Sequence, residues 1–266
     1  MNNDQVEEIL EELEAQKPGR LKRFQSTIYM IAAIMMASGQ WNDVKELYTS
    51  LYEDALAKFT NSIEYELIDK INVGNGLEYT KIMVGEPKII KRSKIDSEVS
   101  YYYYLEDKYD LTLLAKDERI VGYSIVSKET GFSPVVPFSE ALGSSSLAGI
   151  DSKAPKYYFD VANLIYFIES QELGKQQMFL NLVRGYVEYG SISELVNESV
   201  SYSDRALSAI NALDKAETFG EGEAGNAIKS IRTLIYPNFY GITELDPKLI
   251  ADALLTRYEY QLFTQS

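Results

Sequence analysis

Histidine and cysteine supply the commonest general bases, nucleophiles and metal ligands, and this chain of 266 residues contains neither. Their absence removes Ser-His-Asp and Cys-His catalysis, thiolate zinc sites, disulfides and lipid-modified cysteine. Carboxylates remain, 40 in all. A glycoside hydrolase needs two of them across a cleft. Glu169 with Glu188, or Glu106 with Asp107, can be put in that role, but no spacing selects them from the rest, and a carboxylate-dependent hydrolase is the least favoured reading. Gly220-Glu-Gly-Glu-Ala-Gly225 matches the dinucleotide fingerprint. That fingerprint needs a strand before it and phosphate at a helix N-terminus, whereas the preceding residues read as helix and Glu221 and Glu223 repel phosphate. It is expected to be a loop between helices. No calcium-type alternation of Asp, Asn and Gly is present. The expectation is no catalytic residue, no metal, no cofactor and no enzyme activity.

Tyrosine is the unusual residue. There are 21, including the run Tyr101–Tyr104. On a strand, Tyr101 and Tyr103 face one way while Tyr102 and Tyr104 face the other. One pair covers the core. The other is covered by C-terminal helices or forms a partner-binding face, since tyrosine offers a large rigid surface with a polar tip. Tyr102 and Tyr104 are the candidate partner-binding residues.

The elements that would position them follow in chain order. Residues 1–23 form a very acidic tail in which Val6–Glu14 reads as a short helix with Ile9, Leu10 and Leu13 on one side; Pro18-Gly19 ends it. Phe24–Asn42 carries no charge over 19 residues. At about 1.5 Å per residue it is roughly 28 Å long, near the hydrocarbon thickness of a bilayer. A transmembrane anchor is expected, with Ile28, Ile31, Ile34 and Met35 in the span and Trp41 at the interface. A cleaved signal peptide and a buried helix are the alternatives. Lys17, Arg20, Lys22 and Arg23 precede the span, so the N-terminus is expected in the cytoplasm and residues 43–266 outside, on a bacterial inner membrane. Residues 43–72 read as an amphipathic stalk with Val44, Leu47, Leu51, Phe59, Ile63, Leu67 and Ile71 on its apolar stripe. The stripe packs on the same chain or on a second copy.

Asn75 with Glu78 looks like a capping box opening a two-turn helix, with Leu77, Ile82 and Met83 toward the core; Gly85 and Pro87 end it. Alternating strands follow through Val126. Ile71, Gly74, Gly85, Pro87, the tyrosine run, Val121, Gly122 and Tyr123 together resemble the SmpA/OmlA (BamE-like) family over residues 64–127. A wider group of membrane-anchored bacterial proteins is similar in having an anchor, this module and a C-terminal extension. The resemblance implies a non-catalytic α+β module that binds envelope proteins. The chain departs from it in having no lipidated cysteine and about 140 further residues.

Residues 131–155 are expected to be a loop, the best domain boundary. Residues 156–190 favour strands by composition, with helices as the alternative. Helices are expected at 192–216, 224–235 and 247–262. The fold class expected is thus α+β: a transmembrane helix and stalk, a short helix on an antiparallel meander at 73–130, and a mostly helical region over 156–266. The net charge of −14 argues against nucleic acid as a partner. The expected function is a membrane-anchored protein-interaction module with an unknown envelope partner and self-association through the stalk; the alternative is a membrane-anchored ligand sensor signalling through the N-terminal tail.

Overall fold

Alternating residues on both sides of position 150 join into one sheet. The computed structural model describes residues 61–150, 156–191, 199–220 and 223–264. Residues 67–266 form one compact unit. Eight antiparallel strands run in the order β1-β2-β3-β4-β8-β7-β6-β5. They are β1 (Ile89–Arg92), β2 (Ser100–Leu105), β3 (Tyr109–Lys116), β4 (Arg119–Ser127), β5 (Lys156–Asp160), β6 (Tyr166–Glu172), β7 (Asn181–Val187) and β8 (Phe239–Thr243). The helices are α1 (Ser62–Asp69), α2 (Leu77–Val84), α3 (Leu147–Ile150), α4 (Ser199–Phe219), α5 (Ala224–Leu234), α6 (Lys248–Asp252) and α7 (Arg257–Thr264).

Two consecutive meanders, β1–β4 and β5–β7, are closed by the late strand β8, which pairs with β4 on one side and β7 on the other. Residues opposite one another in the ladder share a face. One face carries the row Leu105–Asp110–Val126–Phe239–Gly185–Ile168–Tyr158. The C-terminal segment packs on this face through Leu249, Ile250, Ala253 and Leu255. Tyr103 donates its hydroxyl to Ala253 O at 2.9 Å, and Tyr101 donates to Asp252 Oδ2 at 2.7 Å. The opposite face carries Tyr104–Leu111–Ile125–Tyr240–Arg184–Glu169–Tyr157. There α4 and α5 cover Phe167 and Tyr186 with Tyr202, Ile210, Leu213 and Ile231. On the β2–β4 side of that face α2 brings Lys81 Nζ to 5.6 Å from the ring of Tyr102.

The expected class is corrected. Sheet dominates the described chain, and the region expected to be mostly helical contributes four of the eight strands. Burial on both faces drives this, because strands covered on each side need little polar alternation. Phe24–Asn42, with Ile28, Ile31, Ile34, Met35 and Trp41, lies outside the described residues, as do the acidic tail and most of the stalk. Among the described residues no helix is long and apolar enough to cross a membrane. The longest, α4, carries Asp204, Arg205, Asp214, Lys215 and Glu217. The single-pass inner-membrane placement, its signal anchor and its orientation are therefore left without support, as is a sensor that signals across a membrane. The described part of the stalk is only α1, which ends at Asp69.

Local details also shift. The N-cap of α2 is Gly76, not Asn75, whose Nδ2 instead donates to Lys70 O at 3.1 Å. Glu78 pairs with Lys81 at 2.8 Å. Leu77 and Thr80 are buried, while Ile82 points outward. In the turn entering α6, whose N-cap is Pro247, Asp246 Oδ1 accepts from the Lys248 N–H at 2.9 Å.

Candidate interaction surface

Two groups of buried charge come first, because perturbed and enclosed charge marks many active sites. On the second face, Arg232 of α5 donates from Nε to Glu169 Oε2 at 2.8 Å and from Nη2 to Leu147 O at 3.2 Å. Arg184 lies directly opposite Glu169 in the ladder. It donates to Ser139 Oγ at 2.9 Å and to Gln171 Oε1 at 3.1 Å. All three charged residues are buried. The Glu169–Arg232 pair ties α5 to the sheet, and the Arg184–Ser139 and Arg232–Leu147 hydrogen bonds tie the 128–150 segment to it. Glu188 is not a partner of Glu169: four residues beyond Arg184 at about 3.3 Å each, it sits roughly 13 Å along the strand. It binds Arg257 at 2.8 and 2.9 Å. That separation exceeds what either glycosidase geometry uses. Glu106 and Asp107 are both exposed at the β2–β3 turn. Gly220 and Glu223 lie between α4 and α5.

On the first face stands Asp110, buried between Leu105 and Val126. Lys128 Nζ lies 3.1 Å from Oδ1. Desolvation pushes the carboxyl up to about 6; the Lys128 charge and the Tyr260 hydroxyl pull it down but do not prevail. Tyr260 is stacked on Tyr189, ring centroids 4.1 Å apart. A carboxyl held above its ordinary value keeps its proton more tightly in the folded state. Its contribution is neutral below the ordinary value and becomes fully destabilising above the folded one, so stability falls as pH rises from about 4 to about 6. At about 1.4 kcal/mol per pH unit the whole effect is about 3 kcal/mol. Asp110→Asn is expected to raise stability at pH 7 by about 1–2 kcal/mol, less than the full effect because the Lys128 pairing is lost too. The gain should vanish by pH 4. Urea denaturation of both proteins at pH 4, 5, 6 and 7 checks this; a variant no more stable at pH 7 would refute it.

The remaining feature is at the sheet edge. Of the two tyrosines singled out from sequence, Tyr104 is 2% exposed, with its hydroxyl buried and unpartnered, and burial pushes it up to about 12. Tyr102 keeps part of its ring at the surface beneath Lys81. Beside it runs β1, whose Ile90 is opposite Tyr102 in the ladder. Lys88, Ile90 and Arg92 alternate onto this side of the strand. All three are exposed. Lys91 turns the other way and binds Glu259 at 2.7 Å. Helix α2 leaves the strand uncovered and adds its own outward residues. Exposure is 84% at Ile82, 59% at Tyr79 and 58% at Ile90. Lys88 Nζ donates to Leu105 O at 2.7 Å. The side chains of Arg92 and Lys94 pair with no carboxylate among the described residues, although the Lys94 backbone N–H donates to Asp252 Oδ2 at 3.1 Å.

Four cations, Lys88, Lys91, Arg92 and Lys94, thus fall within seven residues that hold no acid. That run is a visible signal in so acidic a chain. No family model, curated protein or solved structure matches the chain.

Proposed function

We propose that the chain is a non-catalytic protein-interaction module that receives its partner on the face formed by β1, α2 and Tyr102. The observation that carries this reading is the exposure of Ile90 on a strand that forms the sheet edge among the described residues, with Ile82 and Tyr79 also more than half exposed on the helix that leads into it. Scattered surface apolar residues are ordinary, whereas a contiguous patch rimmed by charge is typical of binding surfaces. An edge strand also offers unpaired backbone groups. The buried Glu169–Arg232 pair supports the same reading from the other side, because it is engaged within the fold.

Photo-crosslinking tests it. With benzoylphenylalanine at position 82 of the full chain, illumination of cells expressing it should give a discrete heavier adduct. The adduct should drop at least fivefold when Ile90→Glu is added. The same reagent at exposed position 233 on α5 serves as background. An adduct at 82 no stronger than that background would overturn the reading.

A further inference from the structure

We propose that the β1–α2 face binds an acidic amphipathic helix presented by a partner protein. The inference rests on the interaction-module reading above and names the chemistry of the partner.

Shape argues for a helix. Helix α2 stands on the sheet over Tyr102, and β1 extends beyond its cover. The result is a step: α2, with Lys81 over the sheet and Ile82 turned outward, is the riser, and Ile90 with the exposed part of Tyr102 is the tread. A strand added to the edge of β1 would lie in the plane of the sheet and miss Ile82. A helix resting on the tread sits about 10 Å above it and touches both. Residues 88 to 92 span about 13 Å, the length of roughly nine helical residues.

Charge argues for acid. Arg92 lies beside Ile90 on the tread and Lys94 follows at its end, whereas Lys81 is already paired with Glu78 and Lys88 Nζ donates to Leu105 O. Covering them with a neutral apolar surface would strand Arg92 and Lys94 without partners, which is unfavourable. Edge-to-edge pairing of two β1 strands would set cations against cations, so a second copy joined that way is repelled. An occupant with apolar residues every three or four positions and carboxylates beside them satisfies both the apolar centre and the basic rim.

The chain's own residues 1–16 have this chemistry and furnish a probe. Asp4, Glu7, Glu8, Glu11, Glu12 and Glu14 accompany Ile9, Leu10 and Leu13, with no basic residue among them. A fluorescent synthetic peptide of residues 1–16 is titrated with the full chain and followed by anisotropy. The expected result is saturable binding that weakens several-fold between about 0.05 M and 0.5 M salt. Arg92→Glu with Lys94→Glu should reduce affinity at least tenfold, and a peptide with Ile9, Leu10 and Leu13 changed to serine should not bind. These substitutions sit on exposed side chains, so an unchanged circular dichroism spectrum certifies the fold. No saturable binding, or equal binding by a peptide with every glutamate changed to glutamine, overturns the proposal. If the position-82 adduct forms while the peptide fails, the partner chemistry is wrong and the module reading stands. If the adduct is also absent, both fall.

Discussion

Gly185→Ala is expected to leave no cooperatively folded protein. Gly185 lies in the middle of β7, paired with Phe239 of β8 and Ile168 of β6. A methyl group placed there would collide with the carbonyl oxygen of Phe167 and come within 2.7 Å of Ile168 Cα. Both are backbone atoms of a strand held on its far side by β5, so neither can turn aside as a side chain would. Moving β6 away would open the row between Ile168 and Phe239. The destabilisation is on the order of 3 kcal/mol or more, a large share of what holds a typical domain together. Gly225 is the contrast: no atom lies within 4 Å of the corresponding methyl position, and the residue is in the first turn of α5. Gly225→Ala should stabilise by up to about 1 kcal/mol through helix propensity. Near-ultraviolet circular dichroism and thermal unfolding of the two variants decide the matter; a Gly185→Ala protein that melts cooperatively near the parent temperature would show that the strands yield more than this geometry permits.

Arg232→Met is expected to cost about 3–5 kcal/mol, because it abandons Glu169 in the interior. Glu169→Leu should cost as much, leaving the guanidiniums of Arg184 and Arg232 on either side of an apolar residue. The double variant should be more stable than the sum of the two losses predicts, since Glu169 and Arg232 no longer orphan each other, while Arg184 keeps Ser139 and Gln171 as partners. Denaturant titration of the four proteins supplies the cycle. Single losses under about 1 kcal/mol would mean that water reaches the pair and that the loop and helix are held by apolar contacts instead.

How far the fold could be read from sequence depended on which residues were asked to alternate. Strands β2 to β4 were legible because Tyr101 and Tyr103 separate cleanly from Tyr102 and Tyr104. The fate of the second pair was not, since it depends on where α2 lies. Strand β8 left almost no trace. All five of its residues are buried, so Phe-Tyr-Gly-Ile-Thr shows no polar alternation, and Pro237-Asn238 before it reads as a turn. Its entry is instead secured by Asn238, whose side-chain amide accepts from Val187 N at 2.8 Å and donates to Val187 O at 2.9 Å, imitating one more ladder residue. The expected single helix over 247–262 is two helices, and the interruption was written in the chain. Thr256 and Glu259 form a capping box: the Thr256 N–H donates to Glu259 Oε2 at 2.9 Å, and the Glu259 N–H donates to Thr256 Oγ1 at 3.3 Å. At the candidate surface, the basic run was plain in the sequence. The outward turn of Ile82 was not, because a helix of two turns with apolar residues at Leu77, Ile82, Met83 and Val84 has no unique phase.

The strand order has a consequence for how the chain is made. A ribosome delivers β1 to β7 before β8, and the two meanders share no ladder until β8 arrives between β4 and β7. A nascent chain that has emerged only as far as Phe219 therefore offers two open inner edges, Tyr123-Ser-Ile-Val126 and Leu182-Val-Arg-Gly185, both built for burial. Such edges invite pairing with other chains. Joining the halves also requires closure of more than a hundred residues between β4 and β8, which makes the last step slow. Vectorial synthesis thus cannot finish this protein half by half: the N-terminal meander must wait, with its inner edge exposed, for a strand of five residues made long after it.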